Sequence, residues 1–149
     1  MSILRTAADH FFDMLPGQWE LQRMITRPEY RLSGKAEFKK QDPETIIYQE
    51  SGTNPALHQE FYNSYKFRKV PGTQDNSIIV YFNTGPNTGR IFHTLKFKNE
   101  HKAEGKFQCG NDLYETDYIL ESEITFTITH NVYGPAKNYR SISLFKRVA

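Results

Sequence analysis

The chain has one cysteine, Cys109, among its 149 residues. A lone thiol closes no internal disulfide, so nothing calls for an oxidising compartment. Long apolar runs are missing too, and nothing approaches the roughly 20 residues that span a bilayer. The opening MSILRTAADHFF lacks a basic segment, a long apolar stretch and a small-residue cleavage site. These lacks indicate a soluble cytoplasmic protein; a secreted effector with an uncleaved signal carries the same features. Charge of one sign is scarce. The net charge is +2, from 19 basic and 17 acidic residues. No run of Lys and Arg gathers it, so neither nucleic acid nor an anionic membrane surface is an expected partner.

Chemical signatures are thin as well. There is no HExxH, no CxxC, no Ser-His-Asp order and no carboxylate pair. The loop Asn83 to Gly89 has two glycines but no Gly-Lys-Ser/Thr ending, and no helix pattern follows it. It reads as a hairpin turn and not as a phosphate cradle. No Pro-rich linker, internal repeat or low-complexity tract divides the chain, so a single domain over 1–149 is expected, long enough to bury a core.

What is present is aromatic. The chain has 11 Phe and 9 Tyr, a composition that favours strands. One helix is predicted over Thr6 to Leu15, where Leu4, Ala8, Phe11, Phe12 and Leu15 make one apolar stripe. Thr6 caps it with Asp9 three residues on, and Pro16-Gly17 stops it. Beyond it the period changes to two. Trp19, Leu21, Arg23 and Ile25 share a face, as do Leu32, Gly34, Ala36 and Phe38, and then Ile46, Tyr48 and Glu50. Gly52 to Pro55 reads as a loop. Phe61, Asn63, Tyr65 and Phe67 follow, a polar loop runs from Pro71 to Asn76, and Ile78, Val80 and Phe82 come next. Ile91, His93, Leu95 and Phe97 make a further face, then Tyr114, Tyr118 and Leu120. The clearest alternation is Ile124, Phe126, Ile128, His130 and Val132, and Tyr139 to Arg147 is the last strand. About ten segments at roughly 8–14-residue spacing predict an antiparallel all-β sandwich or barrel.

A resemblance separates the two. Gly17-Gln18-Trp19, after a short helix, resembles the opening of lipocalins and the wider calycin group. There the Trp closes one barrel end and a basic residue of the last strand packs over it, a place for Arg140, Lys146 or Arg147. A longer string runs through Glu50-Ser51-Gly52, His93-x-Leu95, Cys109-Gly110-x-Asp112-Leu113-Tyr114 and Gly134-Pro135-x-Lys137-x-Tyr139. With the Gly-x-Trp it is similar to an uncharacterised family of small lipocalin-like domains of unknown function, across nearly the whole chain. The resemblance implies an antiparallel up-and-down calycin-like barrel of 8–10 strands with one short N-terminal helix, and it names no substrate. That family tends to carry a His two residues before the Cys. Phe107 stands there, so no metal is expected at that position.

Barrel strands alternate inward and outward, so polar side chains on the apolar faces point in. Arg23 and Glu50 then need partners, for which each can serve the other. The expected ligand-binding set is Arg23, Tyr48, Glu50, Tyr65, Phe82, His93, Tyr118, Phe126 and His130. The expected rim is Lys137, Tyr139 and Arg140. His93 and His130 are each open to a structural, a ligand-contacting or an acid–base reading, with Glu50 and Tyr114 as further catalytic candidates. Some barrels of this shape hold haem through one His, but neither local sequence marks such a site, and no cofactor is predicted. Cys109 has no cation beside it to activate the thiol and reads as structural. The first functional reading is therefore a barrel enclosing a small apolar or amphipathic molecule. An enzyme using His93 or His130, and a filled-core domain meeting a protein partner at its rim, are the alternatives.

Overall fold

The computed structural model describes residues 5–27, 29–70 and 77–148. The expected loop from Pro71 to Asn76 and the first stripe residue, Leu4, lie outside them. Helix α1 (Ala7–Met14) is bounded as its sequence dictates. Thr6 accepts from the Asp9 amide at 3.1 Å, and the Asp9 carboxylate accepts from the Thr6 amide at 3.0 Å, which closes a capping box. The caps, Thr6 and Leu15, are the two residues by which the helix falls short of the predicted span.

Ten strands follow: β1 (Gly17–Ile25), β2 (Tyr30–Asp42), β3 (Thr45–Asn54), β4 (Gln59–Lys69), β5 (Ser77–Phe82), β6 (Ile91–Asn99), β7 (Lys102–Cys109), β8 (Asp112–Ser122), β9 (Thr125–Tyr133) and β10 (Asn138–Arg147). Each pairs antiparallel with the next, and β10 returns to β1, so the sheet is a closed up-and-down barrel without free edges. The fold class is that predicted. Among the described residues no helix is long and apolar enough to cross a membrane.

Two local readings change. Gly52 is not in a loop, because β3 runs on through it and pairs it with Gly34 on one side and Phe61 on the other. A Cβ on Gly34 would meet the Ser51 carbonyl oxygen at 2.1 Å, and one on Gly52 would meet that of Ser33 at 2.2 Å. The two backbones approach more closely than side chains permit, and the Phe61 ring covers Gly52. In β6 the pairing slips, since Val80 faces His93 while Tyr81 faces Ile91. The extra residue, Phe92, turns into the barrel and leaves Ile91 49% exposed. Strict alternation therefore fails at Ile91.

The helix plugs one end. Phe11 packs on Phe97, Tyr118 and Phe126, and Phe126 stacks on Phe145 with ring centroids 4.5 Å apart. Trp19 donates its indole N–H to the Leu15 carbonyl at 3.0 Å. Of the three basic candidates it is Arg147 that covers Trp19, with its guanidinium 4.3 Å from the ring centroid, while it donates to the carbonyls of Pro16 and Met14. Gly17, at φ 134°, leaves room for it, since a Cβ there would lie 2.7 Å from Arg147 Nη1.

Candidate binding cavity

The opposite end is not filled. A cavity of about 220 Å³ opens there. Ile25, Phe67, Val80, Phe92, Ile128 and Val132 form its apolar wall, with five tyrosines: Tyr48, Tyr65, Tyr114, Tyr118 and Tyr139. Its polar members are Arg23, Glu50, Asn63, His130, Ser141 and Ser143.

Arg23 and Glu50 are each other's partners. Arg23 Nη1 and Nη2 donate to the two carboxylate oxygens of Glu50, each at 2.7 Å, and Nε donates to Ser143 Oγ at 2.7 Å. The Tyr48 hydroxyl also donates to Glu50 Oε1, and Asn63 Nδ2 donates to Oε2 at 2.9 Å. Register explains the meeting: Arg23 pairs with Ser143 across β1 and β10, and Glu50 with Asn63 across β3 and β4. Glu50 is 3% exposed. Burial alone would raise its carboxyl pKa, but the Arg23 guanidinium and the Tyr48 and Asn63 donors outweigh that and hold it below the ordinary range. Burial likewise works against the Arg23 charge, and Glu50 more than restores it.

His130 faces the cavity with Nδ1 2.8 Å from Thr116 Oγ1, and its ring stacks near that of Phe92. Burial, reinforced by the Arg23 cation, pushes its pKa down to about 4, so at neutral pH it is an uncharged imidazole. Burial also raises Tyr65, to about 12, and Tyr118. Neither hydroxyl is hydrogen-bonded among the described residues.

Not every predicted residue reaches this space. Phe126 belongs to the plugged end, packed between Trp19, Phe38 and Phe145. Phe82 stands outside the lining and stacks on Phe92. His93 is displaced by the β6 bulge. It is 2% exposed, lies behind Phe92 with ring centroids 4.2 Å apart, and does not line the cavity. Gly105 makes room for it, since a Cβ there would come 3.0 Å from the His93 ring. Both ring nitrogens are buried and unpaired among the described residues, and burial pushes the pKa down to about 3. At the rim, Lys137 lies 3.7 Å from Asp112 and within 3.4 Å of the Tyr114 hydroxyl. Asp112 turns its carboxylate to that lysine. Arg140 donates to Asn131 at 2.8 Å, and Tyr139, expected only at the rim, reaches the cavity. Cys109 is exposed, next to the tight turn at Gly110. Among the described residues no three His, Cys, Asp or Glu side chains group as a metal site.

Sequence reasoning missed Phe92, Ser141 and Ser143. The two serines alternate with Ile142 and Leu144 on β10, so that signal was present. Phe92 carries none, because a bulge leaves no mark in a period-two pattern.

The fold and its hollow end define a small up-and-down β-barrel with a one-ended interior cavity. Within that class the chain belongs to a family of unknown function (DUF6314), matched over residues 15–147. No curated protein matches it. Among solved structures it is similar to an S-type phycobiliprotein lyase from Guillardia theta, with a TM-score of 0.76 at 9% identity, covering 97% of this chain and 94% of that one. It is also similar to a redesigned β-barrel, mFAP1, bound to DFHBI, with a TM-score of 0.52 at 14% identity over 96% and 100% of the two chains. A third is a protein of the DUF3598 family of unknown function from Nostoc punctiforme, with a TM-score of 0.58 at 15% identity, covering 99% of this chain and 51% of that one. At these identities the likeness is one of fold.

Proposed function

We propose that the barrel binds a small, mostly apolar ligand in its open half, with hydrogen-bonding groups fixed by inward polar side chains. The observation that carries this is the buried Arg23–Glu50 pair, held rigid by Tyr48, Asn63 and Ser143 inside an otherwise aromatic wall. Binding sites combine an apolar wall with a few fixed polar groups in this way. A cavity of about 150 Å³ admits benzene, so 220 Å³ suits one ring with a substituent, or the leading part of a longer molecule. Tyr65, Tyr118 and His130 are the groups free to meet the ligand. Arg23, Glu50 and Tyr48 form the floor against which it rests. Lys137, Tyr139 and Arg140 stand at the mouth. A barrel of similar shape holding DFHBI supports the reading at the level of fold. His130, with its proton affinity depressed, is a weak base at neutral pH, which favours binding over proton transfer.

The test is native mass spectrometry of freshly purified protein against its denatured mass, with a Val132→Trp variant that fills the cavity. A discrete mass lost on denaturation and absent from the variant is expected. An equal retained mass in both proteins would place the ligand elsewhere and sink the reading.

A further inference from the structure

We propose that the cavity selects uncharged ligands, flat apolar bodies bearing a hydroxyl or carboxamide, and that Glu50 is the residue that turns carboxylates away. This rests on the binding reading above and adds the ligand's charge to it.

The lining holds one guanidinium, Arg23, one carboxylate, Glu50, and one imidazole, His130. His130 is neutral there for want of solvation. Arg23 and Glu50 cancel, and every nitrogen of the guanidinium and both oxygens of the carboxylate are already engaged within the protein. Both Nη atoms of Arg23 are on Glu50 and Nε is on Ser143. Glu50 Oε1 accepts from Arg23 and Tyr48, and Oε2 from Arg23 and Asn63, so each oxygen already has two donors. An incoming carboxylate finds its natural partner, the guanidinium fork, occupied by a carboxylate of the protein's own. It would lie beside that charge in a buried site with no second cation, and burying an unpaired charge is heavily disfavoured. The rim cations do not help, because Lys137 is engaged at Asp112 and Arg140 at Asn131, and neither lines the cavity. A neutral ligand meets no such obstacle. Its donor or acceptor can pair with the hydroxyls of Tyr65 and Tyr118 and with the edge of His130, all of which switch roles freely when uncharged.

Benzamide and benzoate are near-isosteric probes that differ in charge. Each is titrated into the full chain at pH 7 by calorimetry, with NMR to locate the site. Benzamide is expected to bind, shifting resonances of Tyr65, Tyr118 and His130, and benzoate to bind at least about tenfold more weakly. In Glu50→Gln the guanidinium is released and the order should invert. The wild-type chain offers a check that needs no variant. The neutral fraction of a carboxylic acid with pKa near 4 rises roughly 100-fold between pH 7 and pH 5, and the apparent affinity for benzoate should rise with it. Over that range Glu50 stays ionised and His130 stays mostly neutral. Benzoate binding as tightly as benzamide at pH 7, or gaining nothing at pH 5, overturns the selection while leaving the cavity a binding site. Failure of both probes to perturb the three residues overturns the binding reading and the selection together.

Discussion

The two ends of the barrel are built from the same strands and do opposite things. On β1 the inward residues run from Trp19 and Leu21 to Arg23; on β3 from Ile46 and Tyr48 to Glu50; on β9 from Phe126 and Ile128 to His130. On β10 the change from Phe145 to Ser143 occurs opposite Leu21 and Arg23. At one height, then, several strands exchange large apolar side chains for polar or small ones. Below it the rings interlock under α1, and above it the rings of Tyr65, Phe92 and His130 pack side by side as the wall around a polar cluster. The lesson is a division of labour, with packing at the plugged end and polar preorganisation at the open end.

The largest effect should come from breaking that division at the plugged end. Phe126→Ala removes a fully buried ring from among Trp19, Phe38 and Phe145 and should cost about 3–5 kcal/mol in urea unfolding. Benzamide affinity should hold within about twofold wherever the variant is folded. A large loss of affinity in folded protein would show that the two halves are not separable. At the open end, Glu50→Ala should cost about 3 kcal/mol, because it strands a buried guanidinium. Arg23→Met with Glu50→Leu should recover most of that loss while leaving benzoate the weaker probe, since the cavity then offers a carboxylate no cation at all. If the double variant is no more stable than the single one, the pair contributes more than charge cancellation.

A smaller effect per residue comes from the two imidazoles packed against Phe92. His93 and His130, ordinarily near 6.5, are pushed down to about 3 and about 4 by burial. The unfolded chain therefore takes up protons that the native chain refuses. Stability is full above pH 6.5 and falls as pH drops toward those lowered values. The loss should be about 2 kcal/mol per imidazole at pH 5 relative to pH 8. Glu50, lowered instead, begins to contribute its own loss only below its ordinary 4.5. Urea midpoints from pH 8 to pH 5 measure this, and a flat profile would mean that the rings are solvated or paired in solution.

The barrel was legible because period-two patterns recur along strands of 6 to 13 residues. The Arg23–Glu50 pair was legible for a related reason: two charges on apolar faces of nearby strands have few partners but each other. Serial alternation says which face a side chain takes, not how far along the barrel axis it sits. Phe126 was therefore grouped with His130, although they lie on opposite sides of the boundary between packing and cavity. A bulge breaks the pattern without announcing itself, which is why Phe92 and Ile91 exchanged places and His93 was read as lining the cavity. Gly52 was read as the start of a loop because glycine commonly marks loops, while here its missing Cβ admits a neighbouring backbone.

His93 gives the smallest and most discriminating test of the boundary between the halves. Its ring lies against Phe92 and Gly105, with Tyr118 edge-on, and neither nitrogen has a partner among the described residues. An unpaired buried polar group costs about 1–3 kcal/mol. His93→Leu removes both nitrogens and gives up some ring packing, since leucine is less flat than the slot above Gly105 requires. The balance should be a gain of about 1 kcal/mol at pH 7. At pH 5 the gain should widen, because the variant no longer resists protonation there, so the acid slope attributed to the two imidazoles should fall by about half. Benzamide affinity should not change, since the residue lies behind the wall. If His93→Leu instead weakens binding tenfold with the fold intact, the imidazole reaches the ligand after all, and the boundary of the cavity lies one residue deeper than Phe92.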